Sequence, residues 1–413
     1  MQSGVKKVHC IHKDTEFSAP LSAERPFPTG IDLVHYAKLP IFAATIQICI
    51  MSASTIQSPH RIEYIDALRG FTMILVVFAH VEMTSFGFVT PTFINSLFMS
   101  FRMPLFFFIS GFIGYKASTQ WNWSTWWAMS KKKLLIQLIP TFIFGVLYAY
   151  AYFQSDFHTF ITHNGKLGYW FTIALLEIFL IVYTASTCLY SSNPKTHRKR
   201  MLIALILLSG TLFLTKIILK LHPTLNEVGN VLSLHHSFNY FQYFAFGYIC
   251  SMYKDDFNRL LGNTYLTAAI LLLFAVVFYA KRCYIGAHVG ASMDIWRMLD
   301  IVSEMIAGYL GLLIVYNTFK TYQNSFTADK KVGCTLQYIG RRTLDIYLLH
   351  YFFLPYLPQI GVMLHDGHNA TLELAIGGLL SLIVIGICLA VSNVLRTSPF
   401  LAQHLFGAKK VKN

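Results

Sequence analysis

Two ionisable residues bracket an otherwise apolar run, RGFTMILVVFAH, at positions 69–80. Histidine exchanges a proton near neutral pH and suits acid–base work. Arginine holds anions through a planar fork of donors. Arg69 and His80 are eleven positions apart. On a helix that spacing is ~16 Å of rise and within about 20° of one face. One chain segment thus carries an anion-binding group and a proton acceptor at two depths. Further polar residues interrupt apolar runs elsewhere. FRMPLFFFISGF contributes Arg102, Pro104 and the small pair Ser110–Gly111. YIGRRTLDIYLLHYFFLP contributes Arg341 and Arg342 at one end, then Asp345, Tyr347 and His350. Glu177 is a lone carboxylate after YWFTIALL, and Glu304, His235, His236 and Asn239 are weaker candidates. Ionisable groups at membrane depth are costly and mark function or pairing. His80, Arg102 and His350 fall at one depth, which predicts a convergent site. Ser110–Gly111 also fits close helix packing.

The elements that must position these groups are membrane helices. The 413 residues are 55% hydrophobic and only 13% charged. Apolar runs of roughly 20 residues recur, the length that crosses a bilayer core. The ten-residue alternation of a membrane barrel is absent. The predicted fold class is an all-α polytopic membrane protein of about ten transmembrane helices. The spans are placed at about 67–87, 95–115, 133–153, 168–189, 201–220, 237–253, 264–280, 298–318, 336–357 and 372–395. Basic residues concentrate in alternate loops, including Lys131–Lys133, Lys195–Arg200 and Arg341–Arg342. This pattern predicts both termini in the cytoplasm. The loop after the seventh span, with Lys281, Arg282 and Arg297, runs against it. A net charge of +14 therefore reads as loop charge, and no nucleic-acid motif accompanies it. Seven cysteines show no metal spacing, so neither a metal site nor a disulfide framework is expected. Residues 1–60 read as a polar, poorly ordered extension in which Met51 offers an alternative start. Residues 61–397 read as the membrane domain and 398–413 as a basic cytoplasmic tail.

RIEYIDALRGFTMILVVFAH resembles the opening of the membrane-bound acyltransferase-3 family. That family's hallmark is an Arg and a His separated by ten residues after an IDxLRG-like lead. Here Ala67 stands where Gly is frequent. FRMPLFFFISGF resembles the second family segment, although in the fucose 4-O-acetylase-like subgroup a His commonly stands at the position of Arg102. LGYWFTIALLEIFL, FNYFQYFAFGYICS and IGRRTLDIYLLHYF resemble later segments in the family's order, with Thr343 in place of Ser.

The resemblance implies transfer of an acyl group, usually acetyl, from cytoplasmic acetyl-CoA to a hydroxyl of a cell-envelope or exported carbohydrate, free or lipid-linked. It places the chain in the cytoplasmic (inner) membrane among membrane lipids. His80 is then the general base. Arg102, Tyr347 or His350 supplies oxyanion donors, and Glu177 or Asp345 orients a histidine. Arg69, Arg341, Arg342 and Lys131–Lys133 are available to coenzyme A phosphates, with Ser110 on the donor path or as a nucleophile. The competing class is a transporter or flippase for a glycan or its lipid-linked precursor, which also buries such residues along a cavity.

Overall fold

The computed structural model describes residues 62–88, 90–154, 157–285, 295–367 and 369–407. The expected 1–60 extension lies outside the described residues. All regular structure among the described residues is helical.

Helix α1 (Glu63–His80) passes directly into a π-helical turn, Val81–Ser85, and α2 (Phe93–Gly114) returns from it. Helices α3 (Trp123–Lys133) and α4 (Ile139–Phe153) are continuous through a second π turn, Leu134–Leu138. Pro140 has no N–H to offer the Ile136 carbonyl, so the ladder shifts there. The chain continues through α5 (Phe157–Thr162), α6 (Trp170–Cys188), α7 (Pro194–Leu221), α8 (Pro223–Val231) and α9 (Leu234–Met252). Then come α10 (Lys254–Leu261), α11 (Thr264–Tyr279), α12 (Ile295–Thr321), α13 (Lys331–Arg341) and α14 (Thr343–Leu349). A 3-10 turn, His350–Phe353, precedes α15 (Pro358–Gly367), α16 (Ala370–Leu395) and α17 (Pro399–Phe406).

Eight helices are long and apolar enough to cross a membrane, and a ninth candidate is the pair Thr343–Phe353 and Pro358–Leu364, bent by 99°. Pro355 and Pro358 stand at that bend, where each removes a backbone donor. Helix α9 fills the place of the expected sixth span. It carries His235, His236, Asn239 and Gln242, so it is too polar to count among the eight. The observed count is close to the ten expected, and each expected segment holds a helix. Pro104 sits inside α2 without interrupting it. Residues 399–406 of the expected tail form α17, which packs against α4.

Helix α1 is the central element: 72% of its apolar window is buried, against 6% for α11 at the periphery. Lipid offers no hydrophobic drive between helices, so association relies on close backbone packing at small residues. Two crossings show this. A Cβ on Gly70 would lie 2.0 Å from the Leu336 carbonyl oxygen, and one on Gly340 would lie 1.9 Å from that of Asp66. Helices α1 and α13 therefore touch backbone to backbone. Likewise a Cβ on Gly111 of α2 would lie 2.0 Å from the Phe244 oxygen, and one on Gly247 of α9 would lie 2.0 Å from the Phe108 oxygen. The Ser110–Gly111 pair thus serves packing, with Ser110 Oγ donating to the Phe106 carbonyl at 2.9 Å.

Gly70→Ala and Gly340→Ala should each cost about 1–3 kcal/mol, the usual range for overpacking. Because both open the same crossing, the double variant should cost clearly less than the sum, as expected for coupled neighbours. Thermal unfolding of the four proteins in one detergent checks this; additive losses would mean that the two glycines do not share a contact.

Candidate active site

His80 ends α1, where the ladder widens into the π turn. Its Nε2 lies 3.0 Å from the Tyr351 hydroxyl. His350 stacks behind this pair, with ring centres 4.0 Å from Tyr351 and 5.2 Å from His80. The His350 side chain is fully buried. Its Nδ1–H donates to the Ile346 carbonyl at 3.0 Å, and Nε2 has no hydrogen-bond partner among the described residues.

A clamp holds this group against the loop before α6. The Tyr347 hydroxyl donates to the Gly168 carbonyl at 2.8 Å and accepts from the Phe171 N–H at 3.2 Å. Tyr169 in turn donates to the Leu348 carbonyl at 2.9 Å. Gly168 has φ +101°, a conformation L side chains rarely adopt, and a Cβ there would lie 2.2 Å from the Tyr351 hydroxyl oxygen. This glycine thus leaves room for the tyrosine that meets His80.

Arg102, in the N-terminal half of α2, is 9% exposed and donates to Asn95 Oδ1 at 3.4 Å. Nearby, Thr92 Oγ1 lies 3.2 Å from Glu82 Oε2 and 2.5 Å from Glu373 Oε1. Glu82 is fully buried two residues beyond His80. His80 and Arg102 line one cavity of about 700 Å³, which lies within the size range of small-molecule sites. Along α1 and the π turn after it, its wall is Met73, Val76, His80 and Met83, so on this element it begins one helical turn above Arg69. Tyr347 also reaches this wall, whereas His350 does not. The opposite wall comes from α6 and α9, where His236 stacks on Trp170 with ring centres 4.2 Å apart.

The remaining candidates lie elsewhere. Asp345 is 1% exposed and accepts from Arg396 Nη2 at 2.8 Å, Arg342 Nη1 at 3.1 Å and Ser392 Oγ at 2.5 Å. Its partners are two guanidiniums and a hydroxyl instead of a histidine, which corrects the expected orienting role. Glu177 accepts from Ser237 on α9 and is not part of the cavity wall, so it too does not orient His80 or His350. Arg342 is committed to Asp345 and Asn393. Arg69 donates to Thr343 Oγ1 at 3.0 Å and lies 3.8 Å from Asp66. Its side chain is 31% exposed. Arg341 is half-buried and makes no ion pair among the described residues. The structure therefore gathers His80, Arg102 and Tyr347 at the cavity, keeps His350 one layer behind, and sets Arg69, Arg341, Arg342 and Asp345 at the other end of α1.

The sequence profile of the acyltransferase-3 family, described as an acyltransferase domain, matches residues 62–392. The chain belongs to the acyltransferase-3 family. No curated protein and no solved structure matches the chain. The matched segment contains the whole cavity and both glycine crossings, and of the Asp345 cluster all but Arg396. The chain is thus a multi-pass membrane acyltransferase.

Sequence reasoning passed over Tyr351, Gly168, Glu82 and Glu373. Glu82 carried the same signal as the other candidates, a carboxylate closing an apolar run. Tyr351 was masked because it adjoins His350, and a regular helix would turn the two residues apart. The partner of Tyr351, His80, is 271 residues away, which spacing within one helix does not reveal.

Gly168→Ala should displace Tyr351 and lower acyl transfer by at least about tenfold, equivalent to ~1.4 kcal/mol of lost positioning. Tyr351→Phe, which keeps the ring and deletes the hydroxyl, should show a loss of similar size. Initial rates in matched membranes check both, and wild-type rates in Tyr351→Phe would dismiss the hydroxyl as a support for His80.

Proposed function

We propose that this acyltransferase moves an acetyl group from cytoplasmic acetyl-CoA to a hydroxyl of a cell-envelope or exported carbohydrate at the inner membrane. Both termini then lie in the cytoplasm, with the Arg69 end facing inward. Within the family, the motif order brings the chain nearest to the fucose 4-O-acetylase-like subgroup, with Arg102 as its departure. The observation that carries this reading is the single straight helix α1, with a guanidinium at one end and, on the same face, a cavity-lining histidine at the other.

His80 takes the proton of the acceptor hydroxyl as its oxygen attacks the acyl carbon. An O–C bond forms, the C–S bond breaks, and His80 returns the proton to the departing thiolate. Two tautomers satisfy the His80–Tyr351 hydrogen bond. If Tyr351 donates to Nε2, Nδ1 carries hydrogen and no lone pair is left for the acceptor. If Nε2–H donates to Tyr351, Nδ1 is the free base. The reaction requires the second tautomer, in which Tyr351 accepts from Nε2–H and holds the ring in place, with His350 packed behind.

Charge develops on the carbonyl oxygen in the transition state and calls for fixed donors. Arg102 serves this role. Tyr347 does not, because its proton is spent on the Gly168 carbonyl. At the inner end, Arg69, Arg341 and Lys131–Lys133 are the cations suited to donor phosphates. Lys131 and Lys132 are exposed there, while Lys133 lies 3.6 Å from the centre of the Phe179 ring. Arg342 is withdrawn from this set by Asp345. Between the two ends, Met73 and Val76 give the cavity wall an apolar stretch along which the acyl arm lies.

His80→Ala should lower acetyl incorporation in membrane vesicles by roughly 10²–10⁴-fold, the ordinary contribution of general-base catalysis. Unchanged incorporation would remove the central assignment. Arg69→Ala should raise the KM for acetyl-CoA more than Arg69→Lys does, because only the alanine variant loses the charge. Purified protein that moves glycan without any donor-dependent acetylation would point to a transporter instead.

A further inference from the structure

The sequence places Lys281, Arg282 and Arg297 where the loop pattern expects few cations, and the structure separates them. Lys281 lies 3.3 Å from Asp300 and 3.1 Å from Glu304, so it holds both carboxylates of that helix end. Arg282 donates to Ser96 Oγ at 2.6 Å. Arg297 has no ion pair among the described residues and lines the cavity that contains His80. It lies in the first turn of α12, where the helix dipole disfavours a cation. The same cavity is lined by Lys216 and Lys220 of α7. Lys216 donates to Asn239 Oδ1 at 2.6 Å, a neutral acceptor, and Lys220 makes no ion pair among the described residues.

The cavity wall thus carries four cations, Arg102, Lys216, Lys220 and Arg297, against two carboxylates, Asp300 and Glu304, which Lys281 already engages. Positive charge of this kind opposes the positive-inside trend and is costly beside lipid. Neither topology nor the α12 dipole accounts for it, whereas an anionic ligand does.

We propose that the cavity admits an acceptor saccharide bearing an anionic group, a carboxylate or a phosphate, held by Lys216, Lys220 and Arg297 while its hydroxyl faces His80. This deepens the acetyl-transfer reading and rests on it for the position of the hydroxyl. Arg102 is left to the reacting carbonyl, so substrate charge and developing charge meet different cations.

The test is binding to the purified full chain in detergent, without donor. Three probes are compared: a glucuronate-containing trisaccharide, its carboxyl-reduced neutral counterpart, and a polyprenyl-diphosphate disaccharide. At least one charged probe should bind roughly tenfold or more tightly than the neutral one. The preference should shrink with added salt and collapse in the Lys216→Gln/Lys220→Gln/Arg297→Gln variant. Which charged probe wins tells a sugar carboxylate from a lipid-linked diphosphate. Equal binding of all three, or a preference undiminished in the triple variant, overturns the proposal. If the triple variant fails to elute as the wild type does, the exposed single change Arg297→Gln takes its place, and an unaltered preference there counts equally against. Acetyl transfer is measured separately: charge-selective binding without transfer overturns the acetylase reading alone, and transfer without charge selectivity overturns this one alone.

Discussion

The backbone contact between α1 and α13 at Gly70 and Gly340 fixes the register on which the site depends. Within a bilayer, two helices are held together by fit more than by water expulsion. Removing both side chains lets carbonyl oxygens of one helix lie against Cα positions of the other, where weak C–H···O contacts add to dispersion. From that point the two chains rise side by side. Ten residues above Gly70 is His80, and eleven above Gly340 is Tyr351, and these two meet at 3.0 Å. One residue below Gly70, Arg69 reaches Thr343 at 3.0 Å. A slip of either helix by one residue would turn both pairs apart. The Gly111–Gly247 crossing does the same for α2 and α9. Arg102 lies nine residues before Gly111 and Tyr240 seven before Gly247, and both reach the cavity wall.

Charge is organised differently at the two ends. At the Arg69 end a buried carboxylate is matched by two guanidiniums: Asp345 takes Arg342 from its own helix turn and Arg396 from the end of α16. Breaking such a cluster on one side leaves an uncompensated buried charge. It therefore ties α14 to α16 and is a structural device. At the His80 end the charges are incompletely matched, with Arg102 near a carboxyl pair and further cations without ion pairs on the cavity wall among the described residues. The contrast separates charges that hold helices together from charges turned to the cavity.

Much of the fold was legible in the sequence because membrane helices are coded by length and apolarity alone. The shared face of Arg69 and His80 followed from eleven residues of regular helix, and α1 is regular over that stretch. Legibility failed where the backbone left the α period or where partners came from far away. Glu82 takes its place in the polar network from within the π turn after His80, and Tyr351 meets a His80 that lies 271 residues away. Asp345 was misread because its strongest partner, Arg396, lies 51 residues on. Glu177 was misread for a similar reason, since Ser237 is 60 residues away. Spacing within one helix carries no information about such pairs.

The apolar stretch of α1 between the two ends gives the arrangement its chemical logic under the proposed reading. A thioester is vulnerable to water wherever a base stands near it. Here the cation-rich end and the base are ~16 Å apart along α1, by the rise of a regular helix. Met73 is fully buried between them, with Val76 next above it. A polar passage along the whole helix would wet the base and the thioester together. Apolar lining one turn above Arg69 suits an acyl arm and disfavours water around the step that follows. The histidine is then affordable at depth for two reasons: Tyr351 satisfies one ring nitrogen, and the cavity beyond it is polar enough to receive the acceptor hydroxyl.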